Sequence, residues 1–257
     1  MLELFQAELR RSWTMFRRYP FEAIGLLFIT TTIFYGLFLS ARYIAGPALK
    51  LGDRLDSVII GYVLWNLVTF IMASITGTLQ YESQTGTLEQ LFLSRFGAIK
   101  LVLVRSLAEL TLQLFLMLSS LFLILALTGS RLNFSLTVLF PFVTVLLGAY
   151  GMAFTMGSLA LLLKRVQQLF VIVNFAPLFL LSTPTETWAP PANILVKLLP
   201  LVPGAEILRD LMARGESLDF TKLVIAFING AVYFALGLLL FRVAERESKR
   251  RGILNGY

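Results

Sequence analysis

The residue types that carry most enzyme chemistry are missing or scattered in this chain. It contains no histidine and no cysteine, which removes the commonest general base and metal ligand and every thiolate nucleophile. It has no Gly-x-x-x-x-Gly-Lys-Ser/Thr loop to cradle phosphates, no His-Glu-x-x-His zinc pair and no Gly-x-Ser-x-Gly elbow. No catalytic residue, metal ligand or cofactor is therefore assigned to this chain, and a membrane-embedded enzyme is only a distant alternative. One carboxylate stands apart: Glu109 lies inside an apolar run, with Arg105 one turn before it and Gln113 one turn after. A carboxylate at membrane depth is a functional candidate by default, here as the coupling group of a stand-alone, ion-driven secondary transporter or channel. The spacing to Arg105 offers a plainer use, an i,i+4 pair that neutralises itself and serves structure. Asn66, Asn174 and Asn229 are further polar points within apolar runs, suited to interhelical hydrogen bonds.

A second polar set, Tyr81 to Ser94, has the wrong residues for catalysis and the right ones for a helix start. Gly86 permits a sharp turn. Thr87 and Gln90, three apart, fit a capping box, and Glu89 suits the positive end of the helix dipole. Leu88, Leu91, Phe92 and Phe96 then recur at helical spacing, leaving Glu89, Gln90 and Arg95 on the other face. Such a helix either lies on a bilayer surface or docks a partner.

The elements around these residues are those of a membrane protein. Of the residues, 57% are hydrophobic and 14% charged, with a mean hydropathy of +0.80, whereas soluble domains carry about a quarter charged. The net charge of +7 suits anionic headgroups, and no basic patch interleaved with aromatics argues for nucleic acid. In the first twenty residues Leu2, Phe5, Leu9, Trp13 and Phe16 form one stripe, flanked by Arg10, Arg17 and Arg18. That pattern predicts a helix in the headgroup plane, broken by Pro20 where the chain turns into the bilayer. No cleavable signal peptide is expected. Six apolar runs are read as long enough to cross, taking about twenty residues as the requirement: Phe21 to Ala41, Val58 to Leu79, Val104 to Thr128, Ser135 to Leu163, Val166 to Ser182, and Leu223 to Phe241. The fourth carries Pro141, which predicts a kink, a tilt or an outside start, and small residues four apart at Ala149, Ala153 and Gly157. Lys164-Arg165 makes a tight basic turn before the fifth. Lys and Arg number 14 on the side holding both termini and the Thr87 helix, against 8 on the other, so that side is expected to be cytoplasmic. Residues 183–220 hold two short apolar pieces, Asn193 to Leu199 after Pro190-Pro191 and Ala205 to Met212 after Pro203-Gly204. They are too apolar for open solvent and too short to span, so they form either a re-entrant hairpin or a folded external cap.

Taken together, the basic amphipathic N-terminus, the six spans, Glu82 with Gly86-Thr87-Leu88-Glu89-Gln90-Leu91, and Leu199-Pro-Leu-Val-Pro-Gly…Arg209 before the last span resemble the type-2 permeases of ATP-binding-cassette (ABC) exporters. The resemblance covers essentially all of residues 1–257 as one all-α transmembrane domain. It implies that the stretch 81–97 is a coupling helix seated in a groove of a separate ATPase subunit, with Glu82, Gly86, Thr87, Leu88, Glu89, Gln90 and Leu91 as the coupling residues. It further implies re-entrant helices in 183–220, and an assembly of two ATPases, which hold Mg-ATP, with two permeases, here expected as a homodimer. The setting would be the cell membrane of a prokaryote, and the cargo a drug, lipid, peptide or glycan moved outward. An ion-driven transporter would instead show paired broken helices and internal repeats, and no convincing repeat is visible.

Overall fold

The computed structural model describes residues 2–45, 52–130, 132–163, 167–182 and 192–250. The described residues form helices: α1 (Leu2–Arg18), α2 (Pro20–Ala45), α3 (Gly52–Gln84), α4 (Leu88–Leu93), α5 (Ala98–Thr128), a 3-10 turn (Leu136–Val138), α6 (Leu139–Leu162), α7 (Gln167–Ser182), α8 (Ala192–Lys197), α9 (Val202–Met212) and α10 (Phe220–Arg250). Only Tyr19 separates α1 from α2, and Pro20 opens α2. The missing amide hydrogen costs nothing at a first helical position, so the break falls where the sequence predicts it.

Among the described residues, five helical segments are long and apolar enough to cross a membrane, belonging to α2, α3, α5, the 3-10 turn with α6, and α10. The fifth expected crossing is a shorter helix. α7 has 16 residues, with Pro177 inside it, and at 1.5 Å per residue reaches about 24 Å against a hydrocarbon core of about 30 Å. Lys164-Arg165 and Pro190-Pro191 lie outside the described residues. Pro141 does not interrupt α6. It sits in the first turn, where backbone donors have no intrahelical partner to lose.

α3 runs through the middle, with Leu67, Val68, Ile71, Met72 and Ile75 fully buried and neighbours in α5, α6, α7 and α9. The most extensive contact joins α6 to α10, and glycine makes it possible. A Cβ on Gly237 would lie 2.2 Å from the Gly151 carbonyl oxygen, one on Gly151 2.4 Å from that of Tyr233, and one on Gly230 2.6 Å from that of Thr144. Small residues let helix backbones approach this closely. Gly157, one of the small residues four apart, faces Ile75 and Leu79 of α3.

Every residue of α9 is buried, packed among α3, α6, α7 and α10. Gly204 admits this, since a Cβ there would meet Thr144 Oγ1 at 2.5 Å. Buried charges have to be partnered, and these are. Arg209, 1% exposed, donates from Nη1 to the Leu181 carbonyl at 3.0 Å, tying α9 to the end of α7. Asp210 accepts from Lys222 at 2.8 Å and from Arg214, while Glu206 pairs with Lys197 at 3.4 Å. Asn229 and Tyr233 of α10 both donate to the Leu198 carbonyl at the end of α8, at 3.2 and 2.9 Å.

Candidate functional site

The link from α3 to α4 is built by a glycine, though not as a capping box. Gly86 has φ +72°, the left-handed conformation that glycine adopts without strain. The Thr87 amide donates to the Glu82 carbonyl at 2.9 Å and the Gly86 amide to that of Ser83 at 3.4 Å. These are the two bonds of a Schellman motif, so Gly86 closes α3 and thereby aims α4. Thr87 precedes α4 but makes no side-chain cap. The expected Thr87–Gln90 box is replaced because the Thr87 hydroxyl donates backwards, to Glu82 Oε2, and also contacts Thr85 Oγ1 at 2.8 Å.

The other Glu82 oxygen accepts from Arg105 Nη1 at 3.0 Å, and Arg105 Nε lies 3.5 Å from Glu8 Oε1 of α1. Glu8 also pairs with Arg11 at 3.2 Å. Arg105 therefore bridges three helices: α1, the end of α3 and the start of α5. This corrects the expected Arg105–Glu109 pair. Tertiary partners take the guanidinium, and Glu109 accepts instead from Ser74 Oγ of α3 at 2.6 Å. Of the asparagines, Asn174 does bond between helices, its side-chain oxygen accepting from Thr69 at 2.8 Å and its backbone carbonyl from the Trp65 indole at 3.1 Å. Asn66 donates within its own helix to Tyr62.

α4 divides cleanly into two faces. Leu88, Leu91 and Phe92 are buried in the helical core, and Lys249 from the end of α10 lies 5.1 Å from the Phe92 ring. Glu89, Gln90 and Arg95 are exposed. Leu93, 83% exposed, falls three and four residues after Gln90 and Glu89, so it completes an outward patch of acid, amide and apolar groups. Of the proposed coupling residues, Glu89 and Gln90 thus face outward. Leu88 and Leu91 hold the helix down, while Glu82, Gly86 and Thr87 set its direction. Sequence reasoning missed Glu8, Leu93 and Lys249. Leu93 had a signal in its spacing from Glu89, whereas Glu8 and Lys249 are brought in by tertiary packing alone. Along α1, which packs on α5, Trp13 is half exposed and stacks on Phe16 at 5.8 Å, and Arg10, Arg17 and Arg18 are exposed.

The fold and this surface define a class, a multi-span helical membrane protein that presents one anchored helix between two of its spans. The chain belongs to the ABC-2 type transporter family, whose model matches residues 3–213, and is thus the transmembrane subunit of an ABC transporter. No curated protein matches it.

Proposed function

We propose that the protein is the permease of an ATP-driven exporter, and that α4 is the helix through which a separate ABC ATPase drives it. The observation that carries this reading is the division of α4. One face is fixed into the core through Leu88, Leu91 and Phe92, and the Glu82–Arg105–Glu8 bridge fixes its root, while Glu89, Gln90 and Leu93 are left to the outside. A helix that merely floated on lipid would turn its leucines outward and need no such anchoring. Closure of two ATPases on Mg-ATP would push two copies of α4, and α3 and α5 would carry the displacement into the spans. In this reading the termini and α4 are cytoplasmic, and α1 lies along the inner headgroups through its Trp13 face and Arg10, Arg17 and Arg18. α7 supplies the remaining crossing, and α8 and α9 are the re-entrant pair. Two permease copies form the pore in a prokaryotic cell membrane, and the cargo is a bulky or amphiphilic drug, lipid, peptide or glycan.

Glu89→Lys tests the reading. It sets a cation in the first turn of α4, against the dipole, at a cost of about 0.3–1 kcal/mol. It also reverses a contact with basic groups of the ATPase, where like charges cost several kcal/mol. Co-purification with the ATPase should fall at least about tenfold while the permease alone stays folded. A variant that assembles and transports like the parent would refute the coupling role.

A further inference from the structure

The end of the bundle away from α4 holds two adjoining cavities of opposite character. The larger, about 440 Å³, lies between α3, α5, α6 and α9 and is walled by carbon, with Leu64, Leu118, Leu121, Phe142 and Met212 among its lining. Its size is that of a small-molecule site. The smaller, about 350 Å³, shares Phe134 and Ser135 with it and is lined by Asn133, Thr137, Glu216 and Ser217. Its walls are fixed by the backbone. The Asn133 amide donates to the Met212 carbonyl and the Glu216 amide to that of Asp210, both at 2.9 Å, and Ser135 Oγ accepts from Thr137 Oγ1 at 2.9 Å.

Electrostatics set the sign of what fits. Among the described residues Glu216 is the one charge lining the smaller cavity, and it makes no ion pair within 4 Å there. The neighbouring cations make their close ion pairs with other carboxylates, Lys222 with Asp210 and Glu206, and Arg214 with Asp210, so Lys222 acts on Glu216 only at longer range. The smaller cavity therefore offers a carboxylate, an amide and hydroxyls beside an apolar chamber. We propose that the paired cavities bind a single-chain cationic amphiphile, its alkyl tail between α5 and α6 and its amine head at Glu216. An ordinary lipid tail would fill the apolar chamber with no preference of head, and the carboxylate at its mouth supplies that preference. The inference rests on the permease reading only in placing the spans in lipid. It requires no ATPase.

The test uses the full chain in phosphatidylcholine nanodiscs, photo-crosslinked with a long-chain alkylamine bearing a diazirine at its tail. Adducts mapped by mass spectrometry should saturate, concentrate on α5 and α6 beside the cavity, and be displaced by dodecylamine but not by dodecanoate. Glu216→Gln, at an exposed position, should weaken labelling about threefold, as expected for losing one solvent-screened charge contact. Leu118→Trp, at a half-exposed position on the cavity wall, should abolish it. Adducts spread over all spans, equal displacement by dodecanoate, or an unchanged Glu216→Gln would overturn the proposal. Specific amine binding by a chain that fails to assemble with any ATPase would leave it standing and sink the coupling reading instead.

Discussion

Arg105→Met removes the cation between Glu8 and Glu82 while keeping a long flexible side chain to fill the space. The three side chains are 16, 13 and 15% exposed, so water screens them only in part. Breaking a fully buried pair costs about 3–5 kcal/mol and an exposed one about 0–1; at this burial the loss should be about 2–3 kcal/mol. For a chain of this size that lowers Tm by roughly 5–10 °C. Most of the loss comes from two carboxylates left facing each other without their shared cation, and removing one should restore stability. Arg105→Met with Glu82→Gln is thus expected to regain at least about half of the lost Tm, because the amide can still accept from Thr87. Thermal unfolding of the parent and the two variants in detergent, followed by circular dichroism, measures both effects. If Arg105→Met melts within about 1 °C of the parent, or if adding Glu82→Gln deepens the loss, the bridge does not hold α1, α3 and α5 together as described.

Gly86→Val strains a left-handed position by about 1–2 kcal/mol, and should leave ATPase binding largely intact while uncoupling hydrolysis from transport; Gly86→Asn, which tolerates that conformation, should behave close to the parent. Glu109→Gln keeps an acceptor for Ser74, so transport per folded complex should survive with a stability loss of about 1 kcal/mol; a well-folded variant with no transport and no proton coupling would favour ion-driven transport. Gly237→Ala forces a methyl against the Gly151 carbonyl and should cost about 1–3 kcal/mol or prevent folding, whereas Gly77→Ala, with open space around it, should change folded yield little.

Long apolar runs made the spans legible, because crossing a bilayer demands length and hydrophobicity whatever the neighbours. The two faces of α4 were legible for a similar reason, since Leu88, Leu91 and Phe92 fall together at helical spacing. Partner choice was not. Arg105 sits one turn from Glu109 in sequence, yet Glu82 and Glu8 reach it from other helices, and helical spacing carries no information about those. Thr87 and Gln90 fit a capping pattern, but local pattern cannot say that a carboxylate five residues earlier competes for the hydroxyl. The burial of all of α9 was hidden for the opposite reason. Ala205 to Met212 is too apolar for open solvent, yet Glu206, Arg209 and Asp210 argue against burying every face, and only their pairing with Lys222, Lys197 and the Leu181 carbonyl lets the whole helix sit inside.

α10 runs unbroken for 31 residues, about 46 Å at the usual rise. Asp219 caps its first turn beside α9, through the Thr221 and Lys222 amides, and Lys249 at its far end meets Phe92 of α4. Helices curve gently and do not fold up at their ends, and this one is fastened at mid-length, where Gly230 and Gly237 meet α6 backbone to backbone. It is a stiff rod with low compliance, packed along α6. A displacement of α4 would thus arrive at α9 without being absorbed in loops, and the two ends of the permease would have to keep time with each other.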